Sequence, residues 1–352
     1  MNLRRALWTV AFAACSRGGP MAPEPMPTDA SPPAVERVDG VAKPATDAMP
    51  TSTGCMDDSR HLPPEVYATP EAGETPYLEV LHRASKSIHV EIYLLGSGGI
   101  LDSLIEKAKA GIEVKLILDK SEIRTNQKYA DLLTAAGAQV EWSDPRFTFL
   151  HAKFFVVDGS EAIISTGNFS TKYSILLERN FVAHLAEPQD IADLVALFDA
   201  DWLRAATALP CTRLLIAPTN ARQRLLDLIR SATTTIAIES MQFSDGDIRA
   251  AVAERLHAGV TVRALLANAT WIGANTDAAK FLGQLGIPVK SIPHLHAKAL
   301  VIDGKRAYLG SENFSYNSLK NNREVGLIVV EPSSVQPLLD TFEKDWASAA
   351  SF

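Results

Sequence analysis

Apolar runs of strand length alternate along this chain with segments of helical periodicity. Predicted strands at residues 88–95, at residues 114–118 and around residue 140 are separated by predicted helices, which end at Gly111 and Gly137. Glycine commonly follows the last helical residue because it adopts the left-handed conformation without a steric penalty. Strands that alternate with helices of about ten residues indicate βα units. The pattern therefore predicts an α/β protein with a mainly parallel sheet.

The same order of elements occurs a second time. Residues 235–243 correspond to residues 87–95, and Glu239 stands where the first copy has Glu91. The copies are about 145 residues apart, whereas solenoid proteins repeat every 20 to 50 residues or so. We therefore predict a duplicated domain, with a first half at residues 61–205 and a second half at residues 206–352.

The first 60 residues differ in composition from the rest. Residues 1–15 contain two arginines followed by a short apolar run that ends at Cys15, which is typical of an export signal. The small residues before Cys15 resemble a bacterial lipobox, so we expect a lipidated Cys15 and a lipoprotein on the periplasmic face of the outer membrane. A secreted or periplasmic protein with an ordinary signal peptide is the alternative. Residues 16–60 are rich in proline and predict a disordered tether.

Composition and charge narrow the class of protein further. The 352 residues are 47% hydrophobic and 21% charged, which is typical of a globular protein. The net charge of −7 disfavours nucleic acid as a partner without excluding it, since nucleic-acid-binding proteins normally present a basic surface. Cys55 and Cys211 form an even pair in a chain expected to be exported, which suggests a disulfide. Two buried free thiols are the alternative.

One motif occurs in both halves of the chain. His151, Lys153 and Asp158 have the spacing H-x-K-x4-D, and this spacing recurs in the second half. Each histidine is followed 17 residues later by an asparagine, and one or two hydroxyl residues precede that asparagine. The motif residues are His151, Lys153, Asp158, Ser165, Thr166 and Asn168 in the first half, and His296, Lys298, Asp303, Ser311 and Asn313 in the second.

These paired motifs resemble those of the phospholipase D superfamily, which have the form H-x-K-x4-D-x6-G-S-x-N. The second copy matches at every fixed position, whereas Ser165 and Thr166 stand where Gly and Ser are usual in the first. The resemblance implies a duplicated α/β fold of two mixed, mainly parallel sheets flanked by helices and related by a pseudo-two-fold axis. It also implies a metal-independent and cofactor-independent reaction through a phosphohistidine, with His151 as the nucleophile and His296 as the general acid.

The remaining motif residues have roles that follow from their chemistry. Cations and neutral donors suit a phosphodiester, so we expect the two lysines, the two asparagines and the hydroxyls of Ser165, Thr166 and Ser311 to bind substrate. Asp158 and Asp303 complete the catalytic motifs, although each precedes a glycine in a predicted hairpin turn, where it would fix the turn. Glu324 is the candidate orienting residue for one histidine. Its counterpart in the first half is ambiguous between Asn180 and Glu178.

The leading functional expectation is a phospholipase D-type phosphodiesterase that hydrolyses phospholipids or exchanges their headgroups. The alternatives are a phosphatidyltransferase like the cardiolipin synthases, an extracytoplasmic nuclease of the same superfamily, and an inactive phosphate-binding or lipid-binding module. The expected partners are a phospholipid substrate and, through Cys15, a membrane surface, with the protein as a monomer.

Overall fold

Two β-sheets lie face to face, with helices on their outer surfaces, in the computed structural model, which describes residues 58–206 and 208–352. The first half contains β1 (Glu65–Thr69), α1 (Thr75–Arg83), β2 (Ser87–Ile92), α2 (Gly99–Lys109), β3 (Glu113–Leu118), α3 (Ile123–Ala135), β4 (Gln139–Trp142), β5 (Lys153–Val157), β6 (Glu161–Ser165), a π-helical turn (Thr171–Ile175), β7 (Asn180–Leu185) and α4 (Pro188–Trp202). The second half contains β8 (Leu214–Ala217), α5 (Ala221–Arg230), β9 (Thr235–Ser240), α6 (Gly246–His257), β10 (Thr261–Leu266), α7 (Asn275–Gln284), β11 (Val289–Ser291), β12 (Lys298–Ile302), β13 (Arg306–Gly310), α8 (Tyr316–Lys320), β14 (Glu324–Val329), α9 (Pro332–Ser348) and β15 (Ala350–Ser351).

Both sheets are mixed, as the sequence predicted, but they are not mainly parallel. The strand order is β1-β7-β6-β5-β2-β3-β4 in the first sheet and β15-β11-β10-β9-β12-β13-β14-β8 in the second. Parallel pairing is confined to β2-β3-β4 and β9-β10-β11, and the other described pairs are antiparallel. Parallel neighbours need a crossover connection, and the helices α2, α3, α6 and α7 supply it between these strands. The motif strands β5-β6-β7 and β12-β13-β14 are joined by shorter connections, so they pair antiparallel.

The central strand of each half is buried on both faces. Along β5, Phe154 and Val156 belong to the core between the two sheets, whereas Phe155 and Val157 belong to the core under the helices of the first half. Successive side chains of a strand point to opposite faces, which explains the continuous apolar run. The core between the sheets takes side chains from both halves, including Leu309. The two halves therefore share one core and a fixed interface.

The described chain begins earlier than the predicted end of the tether. Arg60, which was assigned to the disordered segment, is buried and forms an ion pair with Asp190 of α4 at 2.5 Å. It also donates to the carbonyl of Ile328 in the second half at 2.8 Å. The tether prediction is therefore wrong for residues 58–60, because a buried guanidinium with these partners anchors the segment. Residues 1–57, including Cys15 and Cys55, lie outside the described residues, so the lipidation and disulfide predictions stay predictions.

Candidate active site

Both motif histidines lie in short segments that leave one half and pair with the other. Leu150 forms an isolated parallel bridge with Arg323, and Leu295 forms the corresponding bridge with Arg179. The amide of His151 donates to the carbonyl of Arg323 at 2.8 Å, and the amide of His296 donates to the carbonyl of Arg179 at 3.1 Å. The exchange is reciprocal, as a two-fold relation between the halves requires. Each histidine is therefore positioned at the interface by the backbone of the opposite half.

His151 is oriented by a carboxylate of the second half. Its Nδ1 lies 2.7 Å from Oε2 of Glu324, and both side chains are buried. Burial by itself would raise the pKa of Glu324, but the charge of His151, its hydrogen bond and the charge of Lys153 outweigh burial and lower that pKa. An ionised carboxylate only accepts hydrogen bonds, so Nδ1 of His151 donates to Glu324. Glu324 thus performs the orienting role predicted for it.

His296 is oriented by an amide of the first half. Its Nδ1 lies 2.9 Å from Oδ1 of Asn180, which also accepts from the hydroxyl of Thr166 at 2.9 Å. Oε2 of Glu178 is 3.9 Å from the same nitrogen, too far for a hydrogen bond. Burial raises the pKa of Glu178, against the opposing effects of the Ser174 hydrogen bond and the Lys298 charge. The ambiguous partner of the second histidine is therefore Asn180, with Glu178 behind it.

The two residues that orient the histidines lie in three-residue segments whose sequences are the reverse of each other. Residues 178–180 read Glu-Arg-Asn and residues 322–324 read Asn-Arg-Glu. In the second half the Asn322 amide donates to Glu324 at 3.0 Å, and in the first half the Asn180 amide lies 3.5 Å from Glu178. A serine one turn earlier donates to each carboxylate at 2.5 Å. Reversal of this order gives one histidine a carboxylate partner and the other an amide partner.

The two motif lysines are buried beside their own histidines. Nζ of Lys153 donates to the carbonyl of His151 at 2.7 Å and lies 5.3 Å from the ring centre of Tyr93, which also packs edge-on against the His151 ring. Nζ of Lys298 donates to the carbonyl of Thr166 at 3.2 Å and lies 3.1 Å from Nδ1 of His296. Both ammonium groups are fully shielded from solvent. They supply the concentrated positive charge that an anionic phosphodiester needs.

The two motif asparagines present amides that are unused within the described part of the chain. Oδ1 of Asn168 and Oδ1 of Asn313 are buried without a hydrogen-bond partner there, and neither side-chain amide bonds to another described residue. Buried polar atoms in native proteins are nearly always paired, so an exception at equivalent positions in both halves needs an explanation. The oxygens of a phosphodiester cannot satisfy these two acceptors, but they can accept from the NH2 groups of the same amides. These asparagines remain predicted substrate contacts.

The motif hydroxyls already have partners in the framework. Thr166 and Ser311 accept from the amides of Phe181 and Val325, at 2.9 and 3.0 Å, which ties the motif to β7 and β14. Ser165 lies 2.9 Å from the hydroxyl of Tyr77. These contacts account for the hydroxyls by framework bonding. The substrate contacts predicted for Ser165, Thr166 and Ser311 stay predictions.

The motif aspartates lie at the opposite end of their strands from the histidines, which corrects their inclusion in the catalytic set. Asp158 accepts from the amides of Ser85, Lys86 and Ser87, and Asp303 does the same for the segment that begins β9. Despite the effect of burial, these bonds lower the pKa of Asp158 to about 2. Five residues of strand separate Asp158 from Lys153, roughly 16 Å. Both aspartates have positive φ in their turns, so they fix the hairpins as their Asp-Gly sequences predicted.

A second buried carboxyl group lies behind Glu324. Glu312, the variable residue between Ser311 and Asn313, is fully buried and bonds through Oε2 to the hydroxyl of Tyr308 at 2.7 Å. Burial, followed by the charge of Glu324, raises the pKa of Glu312 to about 8. Its side chain fills the space beside Gly310 and Gly326, where an added Cβ would clash. Glu312 is therefore a neutral acid at neutral pH and leaves Glu324 as the charged partner of His151.

Sequence reasoning missed two aromatic contacts of the histidines. Tyr93 lies with its ring centre 4.8 Å from that of His151, and Trp271 stacks on His296 with ring centres 6.2 Å apart. Residue periodicity does not reveal loop conformations, so the contact of Trp271 could not be predicted. Tyr93 directly follows β2 and lies two positions after Glu91. In a strand, residues two positions apart share a face, and this spacing was the only sequence signal that could have placed Tyr93 on the face of Glu91.

A duplicated α/β fold with one histidine–lysine pair from each half at the shared interface is the arrangement that the paired motifs predicted. The chain belongs to the phospholipase D superfamily: a family model described as "Cardiolipin synthase, PLD-like domain" matches residues 77–202 and 225–346. The resemblance of the two motifs and the predicted duplication are thereby confirmed. The two matched segments also place the change of half between α4 and α5.

Related proteins with assigned names are cardiolipin synthases. The chain is 23% identical over 314 residues to "Probable cardiolipin synthase YwiE" of Bacillus subtilis, with 76% of this chain and 62% of that protein covered. It is 26% identical over 319 residues to "Cardiolipin synthase 2" of Bacillus cereus, with 76% and 61% covered. The chain thus spans about three fifths of the length of these relatives.

Solved structures confirm the fold. A phosphatidylserine synthase from Haemophilus influenzae superimposes with a TM-score of 0.61 at 15% identity, over 83% of this chain and 90% of that one. A polyphosphate kinase from Porphyromonas gingivalis superimposes with a TM-score of 0.65 at 16% identity, over 81% and 47% of the two chains. At such identities the similarity concerns the fold alone. Within residues 58–206 and 208–352, no helix combines the length and apolarity required to cross a membrane.

Proposed function

We propose that this protein is a phosphatidyltransferase of the cardiolipin synthase type, which moves a phosphatidyl group from one phospholipid to a hydroxyl group of another. The observation that carries the proposal is that the two histidines at one interface have different hydrogen-bond partners. His151 bonds to the carboxylate of Glu324, and His296 bonds to the amide of Asn180. Matches to named cardiolipin synthases over three quarters of the chain favour transfer over the hydrolysis that led the sequence-based expectations.

The first half-reaction forms a covalent intermediate on His151. Nε2 of His151 attacks phosphorus while the bond from phosphorus to the headgroup oxygen breaks, and His296 gives a proton to the departing alcohol. The imidazole gains positive charge as it becomes phosphorylated, and the ionised Glu324 stabilises that charge through the Nδ1 proton. In this step the ammonium groups of Lys153 and Lys298 and the side-chain NH2 groups of Asn168 and Asn313 donate to the phosphoryl oxygens.

The second half-reaction reverses these steps with a new alcohol. His296, now neutral, removes the proton from the hydroxyl of the acceptor lipid, whose oxygen attacks phosphorus as the bond to Nε2 of His151 breaks. Protons and bonds then return to their starting places, so no cofactor is consumed. Asn180 suits this role because a neutral amide orients the ring without holding it permanently in the charged form. Water in place of the lipid hydroxyl would give hydrolysis.

The test uses the full chain with mixed micelles of detergent and phosphatidylglycerol in the presence of EDTA. We expect formation of cardiolipin with release of one glycerol per cardiolipin. His151→Ala and His296→Ala should abolish it, while His257→Ala, which changes an exposed histidine at the end of α6, should not. Phosphatidic acid without cardiolipin would replace the proposal by hydrolysis, and plasmid cleavage without lipid turnover would replace it by a nuclease.

The roles of the two histidines are tested by trapping. Protein denatured with detergent at mildly alkaline pH, where the phosphorus–nitrogen bond is stable, is digested, and the peptide that carries a phosphatidyl group is mapped by mass spectrometry. We expect the modification on His151, and a modification on His296 would reverse the assignment. Wild-type turnover in both histidine variants would show that the site is not catalytic.

A further inference from the structure

Two buried glutamates lie at equivalent positions of β2 and β9 and have no part in the reaction described so far. Glu91 lies in β2 and Glu239 in β9, with 0% and 2% of their surface exposed. Neither carboxyl group accepts a hydrogen bond from a donor among the described residues. Burial raises the pKa of both groups well above the ordinary value. An ionised, unpaired carboxylate in such a place is strongly unfavourable, so both groups carry a proton.

Each glutamate lies beside an ion pair formed across the interface. Glu91 lies on the face of β2 that packs against α4, because His89, two residues earlier, stacks on Phe198, one turn before Asp201. Asp201, whose charge helps to raise the pKa of Glu91, binds Arg323 of the second half with separations of 2.7 and 2.9 Å. Glu239 adjoins Asp345 of α9, which binds Arg179 of the first half at 2.6 and 3.0 Å. In both places the aspartate shares a half with the glutamate and the arginine comes from the other half.

The protons on the glutamates give these clusters a simple charge balance. Besides Arg323, Asp201 lies near Arg146, which binds Asp144, and besides Asp345, Arg179 binds Glu71, which binds Lys344. Acidic and basic groups are thus equal in number in each cluster, and the glutamate adds no charge when it is protonated. Asp345 and Glu239 face each other closely enough to share a hydrogen bond, and two carboxyl groups can do this only if one of them is protonated. A neutral glutamic acid can therefore donate to the aspartate and hold it in position, whereas an ionised one would repel it.

The arginines connect these clusters to the histidines. Arg323 accepts from the amide of His151 and directly precedes Glu324. Arg179 accepts from the amide of His296 and directly precedes Asn180. A shift of either arginine therefore moves the backbone of a histidine and the side chain that orients it together. Such a misplacement is costly for catalysis, since an error of about 1 Å can lower a rate about 100-fold.

We propose that Glu91 and Glu239 are positioning residues of the transferase site, each completing a buried Glu–Asp–Arg triad whose arginine holds a histidine and its orienting residue. The two triads are named by their members as Glu91–Asp201–Arg323 and Glu239–Asp345–Arg179. The proposal rests on the proposed function for its kinetic consequence. Its structural claim does not depend on the substrate. That claim is that the two triads fix the positions of the His151–Glu324 and His296–Asn180 pairs.

The test compares substitutions that keep or remove the donor. Glu91→Gln retains a donor of the same shape without charge, whereas Glu91→Met fills the space without one, and Glu91→Ala leaves it empty. We expect kcat to fall between about 10- and 100-fold in Glu91→Met with little change in KM, and Glu91→Gln to recover most of the loss. The same series at Glu239 should behave alike. Asp199→Asn, an exposed change two residues before Asp201 on α4, is the matched control.

A second readout does not depend on turnover. The Nδ1 proton of His151, bound to Glu324, is followed by nitrogen-15 NMR of the full chain. We expect it to remain slowly exchanging in Glu91→Gln and to exchange rapidly in Glu91→Met. Far-UV circular dichroism and thermal melting establish that each variant is folded, and Glu91→Met supplies the measurement if Glu91→Ala is not.

The outcomes separate this inference from the proposed function. Folded Met variants with wild-type kcat and an unchanged Nδ1 signal would overturn the positioning role. Gln variants as impaired as Met variants would overturn the neutral-donor role, because they would show that the charge of the glutamate is needed. If the wild type forms no cardiolipin, the transferase proposal fails, and the NMR comparison alone then decides whether the triads hold the histidines.

Discussion

Replacement of Glu324 by glutamine removes the charge beside His151 with the least change of shape. The carboxylate accepts from Nδ1 of His151 at 2.7 Å, from the hydroxyl of Ser318 at 2.5 Å and from the amide of Asn322 at 3.0 Å. Glutamine offers one acceptor oxygen in place of two. Either His151 or the Ser318 and Asn322 pair must therefore face an amide nitrogen, which donates and cannot accept.

The expected loss follows from the strength of the bond that is removed. A hydrogen bond to a charged group contributes about 1.5–3 kcal/mol, and about 1.4 kcal/mol corresponds to tenfold in rate. We therefore expect Glu324→Gln to lower kcat by about 10- to 150-fold. Asn180→Ala removes a bond to His296, which is neutral in the second half-reaction. A bond between neutral groups contributes about 0.5–1.5 kcal/mol, so the loss in that step should be about 2- to 13-fold. The difference between the two losses measures the unequal roles of the histidines.

The assay is cardiolipin formation at saturating phosphatidylglycerol, so that kcat is read separately from KM. Glu106→Gln, which changes an exposed carboxylate on α2, is the control for loss of a glutamate charge. Circular dichroism and melting temperature are measured for each variant. An Asn180→Ala loss equal to or larger than that of Glu324→Gln would refute the inference that the carboxylate assists the nucleophile.

Three further predictions concern stability. Asp303→Ala removes the acceptors that hold the start of β9, so urea denaturation should show a loss of about 2 kcal/mol in unfolding free energy, with kcat of the folded protein unchanged; a kcat loss without destabilisation would contradict the turn-fixing role. The pKa of Glu312 is raised from 4.5 to about 8 in the folded protein. Between these pH values the folded state therefore binds more protons than the unfolded state. The unfolding free energy should fall with rising pH, by at most about 1.4 kcal/mol per pH unit. Thermal melts from pH 5 to 8.5 should show a shallower decline in Glu312→Gln, and an identical decline would contradict this. Arg60→Ala breaks the buried ion pair with Asp190, which still pairs with Arg213. We therefore expect the unfolding free energy in the same urea assay to fall by about 2–4 kcal/mol. The exposed control Arg204→Ala should change it little, and an equal change in both variants would contradict the anchoring role of Arg60.

The duplication and the motif strands could be predicted because they depend on local pattern. The Asp-Gly turns after β5 and β12 and the apolar runs of β2 and β9 are determined by residue type and spacing, and the structure contains them. The direction of strand pairing was less accessible. The run of helices and strands from β2 to β4 indicated parallel pairing. The rest of the first sheet consists of the antiparallel β5-β6-β7 unit, which carries the motif, and of β1, which pairs antiparallel with β7.

The site was predicted in its residues but not in its connections. The sequence indicated Glu324 as an orienting residue because of its distance from His296, the histidine of its own half. The structure pairs it with His151, 173 residues away. No property of a single strand indicates which half supplies the partner, since that depends on how two sheets pack. The burial of Arg60 was hidden for the same reason, because its partners lie in α4 and next to β14.

The reversed order of residues 178–180 and 322–324 has a consequence for how such an enzyme arises. A homodimer of one half would obey exact rotational symmetry, so both of its histidines would meet the same chemical group from the neighbouring subunit. Only when two gene copies are fused into one polypeptide can one copy keep an acidic side chain at that place while the other acquires an amide. Division of labour between the two imidazoles is therefore a property that covalent linkage made available to this lineage.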